Sequence, residues 1–361
     1  VARYAQLPGV QYAQPNYLHH IDAVPNDPRF DELWGMQNTG QTGGTVDADI
    51  DATVAWEEQT GSSDVIVAVI DTGVDYNHPD LAGNMWVNAG EIPRNMLDDD
   101  NNGFVDDVYG YDFANRDGDP IDDHSHGTHT SGTIGGVGDN GIGVSGVAQD
   151  VRIMAMKFLT SDGWGTTDAA IECIEYADMM GADIMSNSWG GGPFEQALAD
   201  AIANTDALFV AAAGNDSSNT DTMPNYPSCY DSPNVVAIGA TNHNDEPTWF
   251  TNYGAETVDV FAPGEEILST VLGPAPRFTP DISSQTPVSD CSSLAGWDVS
   301  AYNNAPWALS NTEFVSAPSS FALFDYGDYE DAWIKSTTPL DLSLMSGAML
   351  RFQAYYDTEE G

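Results

Sequence analysis

At 361 residues the chain has room for one large domain and part of another. Nine Lys and Arg against 56 Asp and Glu leave a formal charge of −47 at pH 7, which excludes a general affinity for nucleic acid or an anionic membrane, because phosphate contacts need basic side chains. An apolar share of 41% with nine Trp argues against disorder, and no apolar run is long enough to span a membrane.

Residues 1–20 read as a helix end, a turn at Pro8-Gly9 and a short strand from Val10 to Tyr12. The chain opens on Val1 rather than Met and reads as a cut end, so the lack of a signal peptide carries no information. Val54 to Gly61 looks like a short helix with a Gly end. Val65 to Ile70 is a continuous β-branched and apolar run ending at Asp71-Thr72-Gly73, the pattern of a strand buried on both faces. An acid there either caps the turn or stands where open α/β sheets hold ligands.

Residues 84–123 read as a long polar loop, with ten Asp and one Arg between Asp98 and Asp123. Asp98, Asp100 and Asn102 fall at alternate positions before Gly103, the opening of an EF-hand-type calcium loop, although Tyr109 stands where its closing Glu belongs. A solvated acidic loop is the alternative. His126 to Gly135 is small and helix-compatible. Strands are predicted at Val151 to Leu159, Asp183 to Ser188, Ala207 to Ala213, Val235 to Ala240 and Val258 to Phe261. Helices are predicted at Asp168 to Gly181 and Phe194 to Asn204. This alternation predicts an α/β fold: a doubly wound, mainly parallel sheet with helices on both faces.

After about Thr270 the character changes. Residues 271–290 have linker composition, and residues 291–361 show short strand-like segments without helical period, as in an all-β sandwich. Cys173, Cys229 and Cys291 lack metal-ligand spacing; one disulfide or three buried thiols are both compatible with them.

The chemistry gathers around Asp123 to Gly136, D-H-S-H-G-T-H-T-S-G-T-I-G-G. A general base needs an imidazole whose second nitrogen is held by a carboxylate, and small residues after His126 let a helix start close against a sheet. Asp71 is the candidate carboxylate. Together, V-A-V-I-D-T-G-V-D at 67–75, H-S-H-G-T-H-T-S-G-T-I at 124–134, S-N-S-W-G-G at 186–191 and A-A-A-G-N at 211–215 resemble the subtilase family of serine endopeptidases, in the family's order.

The resemblance covers residues 21–270 and implies a subtilisin-like fold in which Asp71 orients His126, the general base, and Asn215 binds the oxyanion. It implies a structural calcium ion held by Asp27, Asp80 and Asn140, with carbonyls of Gly138, Ile142 and Val144. Extended polypeptide substrates would pair with Gly163, Trp164 and Gly165 on one side and Ser188, Trp189 and Gly190 on the other. Trp189 would cover a pocket for a large apolar side chain. Residues 1–20 resemble the tail of the family's inhibitory propeptide, with maturation between Tyr17 and Asp27, and residues 291–361 resemble part of a MAM-like jelly-roll insert. Secretion follows from the same resemblance. The departure is the nucleophile: no G-T-S-M-A-type serine follows the Ala262-Pro263-Gly264 loop, and Ser346-Gly347-Ala348-Met349 lies in β-type sequence. Two expectations follow. Either the serine lies beyond residue 361 and this piece alone is inactive, or the protein is a non-catalytic binder that uses its β-sandwich to hold protein or glycan.

Overall fold

The computed structural model describes residues 24–273, together with the backbone of six short strands between residues 277 and 355. The propeptide-like stretch 1–20 lies outside the described residues, as does Cys291. The chain divides into two compact units, Val1–Leu272 and Gly273–Gly361.

The first unit is built on seven parallel strands: β1 (Gly61–Asp71), β2 (Gly110–Asp112), β3 (Asp150–Lys157), β4 (Ile184–Asn187), β5 (Leu208–Ala212), β6 (Val235–Thr241) and β7 (Val260–Pro263). Their spatial order is β2-β3-β1-β4-β5-β6-β7, so the chain crosses from β1 to the edge at β2, returns to β3 beside β1, and then runs outward on the other side of β1 from β4 to β7. The helices are α1 (Ala52–Ala55), α2 (His126–Gly135), α3 (Thr167–Met179) and α4 (Gln196–Asn204).

Side chains alternate across a strand, so a strand covered on both faces has no polar side to show. In β1, Ala68 and Ile70 join one buried cluster with Met154, Met185 and Phe209 and with Ala169, Cys173 and Ile174 of α3. Val67 and Val69 join the other with Ile153, Ala155 and Leu81, against which Ile134 of α2 packs. Helices therefore cover both faces. Cys173 is a buried free thiol and Cys229 a partly buried one, so neither is in a disulfide.

Three expectations need correction. The predicted helix at Val54 to Gly61 is a single turn at Ala52–Ala55, and Gly61 instead opens β1. At Gly61 the backbone φ is +125° and an added Cβ would lie 2.2 Å from the Asp150 carbonyl oxygen, so this glycine serves a close strand approach rather than a helix end. The long polar loop contains β2, which reads as loop because its three residues carry no apolar run.

In the second unit, β8 (Arg277–Pro280) pairs antiparallel with β13 (Phe352–Tyr355), β9 (Trp297–Ala301) with β12 (Ala332–Ser336), and β10 (Trp307–Ser310) with β11 (Ser320–Leu323). The third correction is that β8 falls inside the stretch read as a linker; proline-rich composition hid a strand whose partner lies more than seventy residues on.

Ile70 is fully buried one residue before the end of β1. Ile70→Ala is expected to lower unfolding free energy by about 2–5 kcal/mol, the range for an unfilled core site, as read from urea unfolding followed by circular dichroism.

Candidate active site

Because β3, β1, β4 and β5 are adjacent and parallel, their carboxyl ends share one edge of the sheet. Each delivers a segment singled out in the sequence. Gly163 to Gly165 follow β3, Asp71 ends β1, Ser188 to Gly190 follow β4, and Asn215 follows β5. This edge is where open α/β sheets place ligands, at the point where the winding reverses.

Asp71 is 1% exposed and meets His126 of α2. Its two carboxylate oxygens lie 2.7 and 2.9 Å from His126 Nδ1. Asp71 Oδ1 also accepts the Thr72 backbone N–H at 2.7 Å. The imidazole side chain is 44% exposed, and among the described residues Nε2 makes no hydrogen bond. The Asp71 contact raises the His126 pKa above its ordinary value; burial opposes this, and the charges of Asp71 and Asp122 reinforce it. An imidazole held at Nδ1 by a carboxylate and open at Nε2 is the arrangement of a general base.

The helix reaches Asp71 because nothing stands between them. A Cβ on Gly127 would lie 2.1 Å from the Gly73 carbonyl oxygen and 3.1 Å from Asp71 Cβ. Asp122 fixes the amino end of α2, and sequence reasoning missed it. Its Oδ1 accepts the Thr72 hydroxyl at 2.8 Å and the His124 and Ser125 N–H groups at 2.9 and 3.1 Å. Its Oδ2 accepts the Thr128 N–H at 2.9 Å and the Thr128 hydroxyl at 2.6 Å. A carboxylate at a helix amino end satisfies orphan donors and meets the positive end of the dipole. An acid four residues before His126 was the one available signal, and the surrounding Asp-rich loop masked it.

The two substrate-side segments flank Phe158. The first is a tight turn, with the Thr160 N–H on the Trp164 carbonyl at 2.9 Å and the Gly163 N–H on the Thr160 carbonyl at 2.8 Å. A Cβ on Gly165 would meet the Phe158 ring at 2.6 Å. Trp189 packs edge-on against the same ring, with centroids 5.0 Å apart. It is half-buried against the core, and its Nε1 is buried without a hydrogen-bond partner. Trp164 is 78% exposed. Asn215 is exposed, on a loop whose Ala213 carbonyl accepts the amides of Asn225 and Asn252 at 3.0 and 2.9 Å.

Residues 62–308 match the family described as the subtilase family, Peptidase S8. The chain belongs to the subtilase family. It is 36% identical over 270 residues to the thermophilic serine proteinase of Bacillus sp. (strain AK1), covering 74% of this chain and 58% of that protein. It is 36% identical over 251 residues to thermitase of Thermoactinomyces vulgaris, covering 68% of this chain and 76% of thermitase. A crystal structure of a cold adapted subtilisin-like serine proteinase shares 30% identity, covering 66% of this chain and 75% of that one, with a TM-score of 0.49. The chain thus spans little more than half the length of the Bacillus relative.

This subtilase carries two groups of acids away from the edge that holds Asp71 and His126. Asp27 is 4% and Asp80 0% exposed. Asp27 accepts the Asp139 and Asn140 N–H groups at 2.9 and 3.2 Å. Asp80 accepts the Asn140 side-chain amide and the Val144 N–H, both at 2.8 Å. Asn140 Oδ1 accepts the Ile142 N–H at 2.7 Å. The structure thus gathers Asp27, Asp80, Asn140, Ile142 and Val144; Gly138 lies beside Gln149. Burial holds the Asp80 carboxyl above its usual range, and neighbouring Asp27 adds to this. Two buried carboxylates close enough to repel, with no ion pair to either among the described residues, suit a divalent cation.

In the second group, Glu91 brings a buried carboxylate to Asp98 and Asp100, with one ligand oxygen from each within 4.8 Å of the others. Asn102, expected as a third ligand, turns its Oδ1 to the Phe104 N–H at 2.8 Å and its amide to Asp107 at 2.8 Å. Glu91 comes from upstream of the loop, a placement that loop spacing could not show, and its oxygens accept the Asp99 and Asp106 N–H groups at 2.8 and 3.1 Å.

Because His126 titrates above its unfolded value, the pair's contribution to stability is complete below the ordinary imidazole range, about 6.5, and is lost as pH rises through the raised value. In an NMR titration, Asp71→Asn is expected to move the His126 pKa downward. An unchanged midpoint would refute the contact.

Proposed function

We propose that this subtilase chain is the body of a secreted serine endopeptidase, made as a precursor and stabilised by calcium. The observation that carries the proposal is the contact of buried Asp71 with His126 Nδ1 at 2.7 Å, while the imidazole's other edge faces solvent. A serine hydroxyl from outside the described residues attacks the scissile carbonyl and gives its proton to His126 Nε2. His126 then passes that proton to the leaving amine. Asp71 holds the tautomer and stabilises the imidazolium that forms between the two transfers. Asn215, whose side chain makes no other hydrogen bond among the described residues, donates its amide to the developing oxyanion. These roles are the ones known for subtilisin-type sites.

The substrate is a polypeptide, paired by its main chain between Gly163 to Gly165 and Ser188 to Gly190. The aromatic floor of Phe158 and Trp189 favours a large apolar side chain. The propeptide tail at 1–20 would occupy the same cleft as an intramolecular inhibitor. The relatives reported above carry the names of serine proteinases, and the intact Asp–His geometry speaks against a non-catalytic binder. Among the described residues no helix is long and apolar enough to cross a membrane.

Calcium is assigned first to Asp27, Asp80 and Asn140 with nearby carbonyls, and second to Glu91, Asp98 and Asp100. Its role is structural: it neutralises buried carboxylates and ties the segment after Asp71 to the loop around Asn140.

In the complete gene product, His126→Ala is expected to reduce casein hydrolysis by roughly 10⁴-fold or more, the magnitude known for subtilisin-type triads. Asn215→Ala is expected to cost about 10²–10³ in kcat. Hydrolysis that survives His126→Ala would sink the proposal. A calcium chelator is expected to lower Tm in the parent chain and to have a smaller effect in Asp80→Asn, since a ligand bound only to the folded state stabilises it. Equal Tm values with and without chelator would refute the metal assignment.

A further inference from the structure

Lys157 is 1% exposed at the end of β3, directly in register with Asp71 of β1. Burying an ammonium costs several kcal/mol unless its hydrogens all find acceptors and a counter-charge is near. Here every hydrogen is used. Lys157 Nζ donates to the Thr72 carbonyl at 2.7 Å, to Asp123 Oδ1 at 2.6 Å and to the Leu159 carbonyl at 2.9 Å. These acceptors lie on three different segments of the site. Thr72 follows Asp71, Asp123 lies in the loop that enters α2 at His126, and Leu159 opens the turn carrying Gly163 to Gly165.

Thr72 is held on every side. Its N–H donates to Asp71 at 2.7 Å, its hydroxyl donates to Asp122 at 2.8 Å, and that hydroxyl accepts the Gly127 N–H at 3.0 Å. Only its carbonyl needed a partner, and Lys157 provides it. Phe158 and Leu159 donate their N–H groups to the Asp71 carbonyl at 3.1 and 3.2 Å, so the turn after β3 leans on the catalytic acid's own backbone. The proposed mechanism gives Lys157 no task. An apolar residue would fill the strand end without desolvating a charge.

We propose that Lys157 is a positioning residue: its ammonium couples the substrate-side turn to the Asp71–His126 pair by clamping Thr72, Asp123 and Leu159 together. The inference rests on the endopeptidase reading of the site. Its consequence is that the base and the substrate edge keep a fixed separation, which matters because small misplacements of reacting groups are costly to rate.

The test separates positioning from plain electrostatics, because the two have opposite signs. Asp71 faces His126 from β1, Asp122 supports it from the preceding loop, and the His124 ring lies 6.3 Å away. Removing a nearby positive charge raises an imidazole pKa, whereas loosening the Asp71 contact lowers it. In Lys157→Met, an NMR titration is expected to place the His126 pKa about 0.5–1 unit below the parent value. An unchanged or raised value overturns the proposal. If Asp71→Asn also leaves His126 unmoved, the Asp–His pair itself fails, which is a separate result.

Should Lys157→Met fail to fold, Asp123→Asn carries the test, since the Asp123 side chain is 45% exposed and the amide keeps an oxygen that can accept from Lys157. Hydrogen exchange of peptides covering residues 72–75, 122–126 and 159–165 is expected to quicken about fivefold in all three. Quickening confined to residues 122–126 overturns the coupling.

Discussion

The structure depends on a central parallel strand buried on both faces. β1 pairs with β3 on one side and β4 on the other, so three carboxyl ends, with that of β5 beyond, open on one edge. Parallel pairing puts every strand's exit loop on the same side, and the reversal of winding at β1 leaves a crevice there. Asp71 is the last residue of that strand, which explains how a carboxylate can be 1% exposed and still meet a half-exposed imidazole. Burial strips the acid of water, and two hydrogen-bonding groups, the Thr72 N–H and His126, stand where that water would have been.

The polar network around Thr72 is the counterpart of the apolar core beneath it. Asp71, Asp122 and Asp123 are three acids within a short distance in a protein already carrying a charge of −47. Such a group is tolerable only because each carboxylate is committed: Asp71 to His126, Asp122 to the amino end of α2, and Asp123 to Lys157. A partly satisfied network of this kind would be worse than an apolar one. At Asp27 and Asp80 the carboxylates are met by backbone and amide donors, and neither forms an ion pair among the described residues.

Much of the fold was legible because its signals are local. The apolar run before Asp71, the alternation of strands with helices, and the small residues after His126 each express a periodicity or steric need within a few residues. Boundaries failed where a residue's reason lies elsewhere in the chain. Gly61 looks like a helix end, yet its lack of a Cβ serves an approach to Asp150. β2 and β8 carry no strand pattern of their own and exist through their partners β3 and β13.

The sequence by itself determined the chemistry of the parts: an acid at a strand end, a histidine opening a helix, an asparagine after another strand, and the family they jointly announce. Those follow from residue type and short-range order. Tertiary structure alone decided which acids do what among the crowd between Asp98 and Asp123. It chose Asp122 for the helix, Asp123 for Lys157, and Glu91 to stand with Asp98 and Asp100. Nor does sequence distinguish Lys157 from any other lysine at a strand end. Its role comes from burial and from the meeting of three segments at one ammonium, and contacts between distant segments leave no periodic trace in a single chain.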